Sequence, residues 1–172
     1  MKNALGVSIA LVAVLWTWLA LVGPLADYAL VWAGFIAWGA YFTVGKSALG
    51  KTIMATIFGA LMAIIAVIIV TQIDNFLGEF AAPVAVGITV YILTAVPKLD
   101  NIPANVLGYA ATFGFLLTAV IEYNTAVAMA IETDGESILS FSLSHPFIVM
   151  VISFIGGAIM AKISEMLASK LG

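Results

Sequence analysis

Few side chains in this 172-residue chain can do chemistry, and their positions say where function would sit. Asp27 and Asp100 close two similar tetrapeptides, Pro24-Leu25-Ala26-Asp27 and Pro97-Lys98-Leu99-Asp100, and each precedes a long apolar run. A carboxylate there caps free amides at a helix start. On a short interrupted helix reaching toward a membrane centre, it would instead serve a solute or coupling ion. Asn105 shares the second region and can present an amide to a solute. Glu122 divides the apolar stretch from Ala104 to Ile131. Inside a bilayer such a group is a functional suspect by default, whereas at the interface it is merely solvated. Trp32, Phe35 and Trp38 follow one another at helical spacing, a stripe able to narrow a pore or stack on a planar solute. Aromatic residues also anchor helices at the interface or face lipid. Asp27, Trp38, Asp100, Asn105 and Glu122 are the candidate pore- or substrate-lining residues.

Other chemistries are poorly supplied. Without Cys there is no disulfide, thiolate metal site or cysteine nucleophile. His145, the single histidine, stands beside Ser144 and before Pro146, and reads as the start of a helix. One His and no Cys cannot form a histidine-cluster metal site. No catalytic residue, metal or other cofactor is expected, because too few polar groups could converge for an enzyme. Gly45-Lys46-Ser47-Ala48-Leu49-Gly50-Lys51-Thr52 satisfies G-x-x-x-x-G-K-T. That loop cradles phosphate only where a strand leads in, and here an apolar helix does. No nucleotide and no nucleic acid is expected as a partner.

Composition dictates the elements that must position these groups. The chain is 64% hydrophobic and 9% charged, with a mean hydropathy of +1.20. A soluble domain keeps roughly a quarter of its residues charged, so the apolar surface here must face lipid. Crossing the hydrocarbon core takes about 20 helical residues, and as few as ~17 suffice. The candidate spans are Leu5–Val22, Tyr28–Val44, Thr52–Thr71, Ala82–Val96, Ala104–Ile121 and Pro146–Leu167. The first is longer than a signal-peptide core and reads as a retained span. As one helix, Ala104–Ile131 would run roughly 40 Å, so it either protrudes or breaks near Glu122.

The expected class is an all-α membrane protein with six transmembrane helices in a single domain, 1–172. Six spans put every Lys on one side with both termini. They put Asp27, Asp74, Glu79, Glu122, Glu132, Asp134 and Glu136 on the other. The positive-inside rule then places both termini in the cytoplasm.

The two halves, about 1–72 and 75–172, resemble each other in order. Beyond the Pro–Asp tetrapeptides, Ala33-Gly34-Phe35-Ile36-Ala37-Trp38-Gly39-Ala40-Tyr41-Phe42 is similar to Ala104-Asn105-Val106-Leu107-Gly108-Tyr109-Ala110-Ala111-Thr112-Phe113. Gly59-Ala60-Leu61-Met62-Ala63 matches Gly157-Ala158-Ile159-Met160-Ala161. Three spans per repeat force the second copy to enter the membrane inverted, an arrangement common in secondary transporters. Ala55, Gly59 and Ala63 recur every fourth residue, as do Ser153, Gly157 and Ala161. Small residues so spaced let helices approach closely in lipid, and spans three and six are expected to cross near the pseudo-twofold axis.

Trp32-Ala33-Gly34-Phe35, then Ala40-Tyr41-Phe42 and a Lys-Gly loop opening span three, resemble a family catalogued as domain of unknown function 1097. Gly108-Tyr109-Ala110-Ala111-Thr112-Phe113 resembles that family's later Gly-Ala-x-Ala-Thr-Phe segment. The resemblance covers most of the chain and departs between Leu116 and Leu143. It implies a multi-spanning bacterial inner-membrane protein and supplies no substrate.

Together these features lead us to expect a small, self-associating channel or facilitator in a bacterial or archaeal cytoplasmic membrane. Its solute would be small, neutral or weakly charged and of urea or amide type, since the chain has no Arg to clamp carboxylate or phosphate. The alternative is a non-transporting scaffold or regulatory subunit.

Overall fold

The computed structural model describes residues 3–45, 48–97, 99, 101–121, 132–133, 136–137, 143 and 145–172. Its framework is α1 (Ala4–Leu21), α2 (Val31–Val44), α3 (Ala48–Leu77), α4 (Ala81–Ala95), α5 (Ile102–Ile121) and α6 (Pro146–Leu171). A 3-10 turn, Gly78–Phe80, joins α3 to α4. Two residue pairs, β1 (Glu132–Thr133) and β2 (Glu136–Ser137), form a minimal antiparallel ladder. Three helical stretches are long and apolar enough to cross a membrane: Ala4–Leu21, Ala48–Ala95 and Pro146–Leu171. Val31–Val44 and Ile102–Leu116 are shorter apolar helices. The molecule is thus of the all-α class, with helices suited to a membrane.

Helix ends follow local chemistry. Behind α1, the Val22 and Gly23 amides both donate to Trp18 O, and Pro24 cannot extend the helix. Gly45, at φ +83°, ends α2 in a backbone region that favours glycine. Asn101 Oδ1 accepts from Ala104 N at 3.0 Å and so caps α5. Pro146 opens α6, where the His145 side chain accepts from Phe147 N at 3.1 Å. The expected third span, Thr52–Thr71, lies inside a longer helix of 30 residues. Gln72 and Asp74 are helical and exposed, and the turn comes only at Gly78, φ +50°. At 1.5 Å per residue α3 is about 45 Å long, so it outreaches a bilayer core. Helix α4, with 15 residues, runs only about 22 Å.

The tertiary arrangement crosses over. Helices α1 and α2 pack mainly on α6, while α4 and α5 pack mainly on α3. The result is two three-helix bundles, α1–α2–α6 and α3–α4–α5, each taking its third helix from the other half of the chain. The buried registers run in parallel. In α1 the buried residues are Ser8, Val12, Trp16 and Ala20, and in α4 Ala81, Ala85, Thr89 and Leu93. In α2 they are Ala33, Gly34, Ala37, Trp38, Ala40 and Tyr41. In α5 they are Ala104, Asn105, Gly108, Tyr109, Ala111, Thr112 and Leu116. All eight buried positions of α6, from Met150 to Ser164, have buried counterparts in α3 at the same spacing, from Thr52 to Ala66.

Glycines set the tightest approaches. A Cβ on Gly157 of α6 would overlap the backbone of Gly34 in α2, and one on Gly59 of α3 would overlap the backbone of α5 between Asn105 and Tyr109. Helix α3 does touch α6, but the faces expected to meet do not meet at their glycines. Gly59 faces α5 and Gly157 faces α2, because a small-residue face admits whichever backbone comes closest.

Candidate functional site: the seam between the bundles

Each bundle is held by hydrogen bonds of its own. In the first, Trp16 Nε1 donates to Val31 O at 3.0 Å, its indole wedged against Gly34 and Gly156. The Leu30 amide donates to Ser153 Oγ at 2.8 Å. The Tyr41 hydroxyl donates to Glu165 Oε2 at 2.6 Å, an oxygen that also takes Lys162 Nζ at 2.7 Å. In the second bundle, Thr89 and Tyr109 share a hydrogen bond at 3.0 Å. Asn105 Nδ2 donates to Leu93 O at 3.3 Å and Leu99 O at 2.6 Å.

Between the bundles the contact is apolar. Ala33 and Ala37 of α2, Ala60 of α3, Ala111 of α5 and Met150 and Phe154 of α6 form one buried cluster. Ala40, Ala55 and Ala104 form a second, with Leu107 against it. Among the described residues no hydrogen bond joins one bundle to the other. On the α2–α5 side the seam widens into an open cleft of about 630 Å³, lined by Trp32, Ile36, Leu107, Ala110, Ala111, Gly114 and Phe115. Trp32 and Phe115 close one stretch of it, their ring centroids 6.2 Å apart. Such a surface accommodates small or apolar groups and offers no charge.

The candidate residues fall in different places. Asp27 is exposed in the α1–α2 turn, and the N-cap of α2 is Leu30 without a side-chain cap, so the expected capping by Asp27 is corrected. The turn between them folds back on itself through Tyr28 and Ala29 amides bonded to Leu25 O, which sets the helix start three residues later. Trp38 is buried and stacks on Phe35 at 5.6 Å, its Nε1 without a partner. Asn105 is fully buried against α4, with Oδ1 unpaired. Asp100 and Glu122 lie outside the described residues. Ala55, Gly59, Ala63, Ser153, Gly157 and Ala161 are all buried in helix contacts. Of the phosphate-loop pattern, Ala48–Thr52 is already helix, with Thr52 buried, so those residues form no cradle.

Among the described candidates, Asp27 lies in the α1–α2 turn and Asn105 against α4, in different bundles. The structure singles out instead Ile36, Phe115, Met150 and Phe154, which sequence reasoning passed over. Nothing but helical spacing marks Met150 and Phe154, and apolar residues at helical spacing are abundant in this chain. Asp27, Lys51, Asp74, Glu79, Lys162, Glu165 and Lys170 are not buried, and among the described residues no cluster of three or more His, Cys, Asp or Glu could hold a metal ion.

Residues 6–169 match the family described as "Protein of unknown function (DUF1097)". No curated protein and no solved structure matches the chain.

Proposed function

We propose, for a chain that belongs to the DUF1097 family of proteins of unknown function, that it is a channel or facilitator passing a small neutral solute across the cytoplasmic membrane. In this reading six helices span the bilayer as two inverted three-helix units. The observation that carries it is the coincidence of buried registers between α1 and α4, α2 and α5, and α3 and α6. An odd number of spans per unit inverts the second, and inverted units with a pathway at their interface are a transporter architecture. Further support is that Asp27, Asp74, Glu79 and Glu165 are all exposed. Ion coupling would need an intramembrane ionisable group, so a passive pathway for a urea- or amide-type molecule fits best.

Topology follows from charge. Gly172 lies against Ala4, and Tyr41 meets Glu165 near the ends of α2 and α6. Lys51, Lys162 and Lys170 belong to that end, while Asp27, Asp74 and Glu79 belong to the other. The lysine end is the cytoplasmic one by the positive-inside rule. We further read the protein as a homo-oligomer without enzymatic activity.

The test is stopped-flow light scattering on proteoliposomes challenged with urea, formamide, glycerol, acetate and ammonium gradients. Flux of an uncharged solute well above that of empty liposomes is expected. Its absence for every solute, with the protein folded and inserted, removes the facilitator. The closed apolar centre at Met150 and Phe154 favours a second reading in that event, a non-transporting subunit of a larger complex. Recovery of a stable partner on gentle solubilisation would mark it.

A further inference from the structure

The repeat units of the sequence are not the mechanical units of the molecule. In a repeat-based mechanism the moving parts would be α1–α2–α3 and α4–α5–α6. Yet α1 and α2 make little contact with one another, and each packs on α6 instead, just as α4 and α5 pack on α3. Polar bonds follow the same division. Leu30 to Ser153 and Tyr41 to Glu165 fasten α2 to α6 near both ends, and Trp16 fastens α1 to α2. Asn105 and the Thr89–Tyr109 pair fasten α4 to α5. Glycine contacts lock α2 to α6 and α5 to α3 backbone to backbone. What remains between the bundles is apolar: Ala side chains with Leu107, Met150 and Phe154, the Trp32–Phe115 ring pair, and Ala48 of α3 in the cluster of Tyr41 and Met160, crossed by no hydrogen bond among the described residues. In lipid, apolar side chains gain little from one another that acyl chains would not supply. A seam of this kind can part without stranding a polar group, whereas the interfaces within each bundle cannot.

We propose that α1–α2–α6 and α3–α4–α5 move as two rigid bodies, and that the seam between them is the solute route, occluded by Met150 and Phe154 and widened at the cleft that Trp32 and Phe115 partly close. The route rests on the facilitator reading; the division into bodies does not. Packed layers of this kind slide or rock between discrete arrangements with little change inside each body.

Because the chain has no Cys, cysteine pairs can be introduced without background. Ile36→Cys with Ala111→Cys bridges the seam, since both residues line the cleft on opposite bundles. Ala4→Cys with Gly172→Cys ties α1 to the end of α6 within one bundle and away from the seam, since a Cβ on Gly172 would lie 3.5 Å from that of Ala4. Cross-linking the first pair is expected to reduce solute flux to the level of empty liposomes, with recovery on reduction. Cross-linking the second is expected to leave flux intact. Unchanged flux through the cross-linked Ile36–Ala111 pair overturns the route.

Spin labels test the bodies alone. Met54 on α3 and Ile163 on α6 are exposed on different bundles, and Met54 and Tyr91 on one. Two distance populations are expected for the first pair and one for the second. A single narrow population for both would overturn the division into moving bodies, whether or not the protein conducts.

Discussion

Asn105 shows how a polar side chain can be buried for a structural reason. Its two amide hydrogens go to Leu93 O, an open carbonyl in the last turn of α4, and to Leu99 O in the segment that follows. Leaving a buried polar group unpaired costs about 1–3 kcal/mol, so Asn105→Ala, which strands both carbonyls, should lower the thermal midpoint markedly in detergent. Thr112→Val should do the opposite or nothing, because the buried Thr112 hydroxyl has no partner to lose and valine keeps its shape. Equal losses for the two variants would contradict this account. A buried amide was legible in the sequence as a residue worth suspicion. That its hydrogens serve the preceding helix was not, since nothing local ties position 105 to position 93.

At the scale of the element, the prolines and glycines marked most boundaries in advance. Pro24 and Pro97 lie just beyond α1 and α4, and Pro146 opens α6. The overrun of α3 past Thr71 was hidden, because polar residues such as Gln72 and Asp74 stop the hydrophobic run without stopping the helix. The sequence also said which helix faces are small, and it could not say what lies across them. Gly157 and Gly39 illustrate the difference. Gly157→Ala drives a methyl into the Gly34 backbone, whereas Gly39→Ala meets open space. Overpacking of this kind costs about 1–3 kcal/mol or more. Differential scanning fluorimetry should therefore show a large fall in midpoint for Gly157→Ala and none for Gly39→Ala.

For the whole molecule, the placing of Lys51, Lys162 and Lys170 at one end, with Asp27, Asp74 and Glu79 at the other, gives a direct prediction. Single cysteines at Asp27 and Asp74 should react in intact cells with a maleimide that cannot cross the membrane. Cysteines at Lys51 and Lys170 should react only after the cells are opened. Labelling of both groups from outside would contradict one fixed orientation with both termini inside. The all-helical architecture was readable from hydropathy alone, because lipid tolerates little else. The exchange of third helices was not, since periodicity fixes a buried face and leaves its partner open.

That exchange also orders the making of the protein. Helices α3, α4 and α5 are consecutive, so their bundle has every member as soon as residue 121 has left the ribosome. The other bundle begins with the first helix made and is completed by the last. Until α6 is inserted, α1 and α2 have neither the glycine face that receives Gly34 nor the serine that receives the Leu30 amide. Until then α2 has only its apolar contacts with α3 and α5, and α1 only its bond to Val31 O. The final helix acts as the closing stave, and a chain stalled before Pro146 would leave the buried faces of α1 and α2 uncovered on the α6 side.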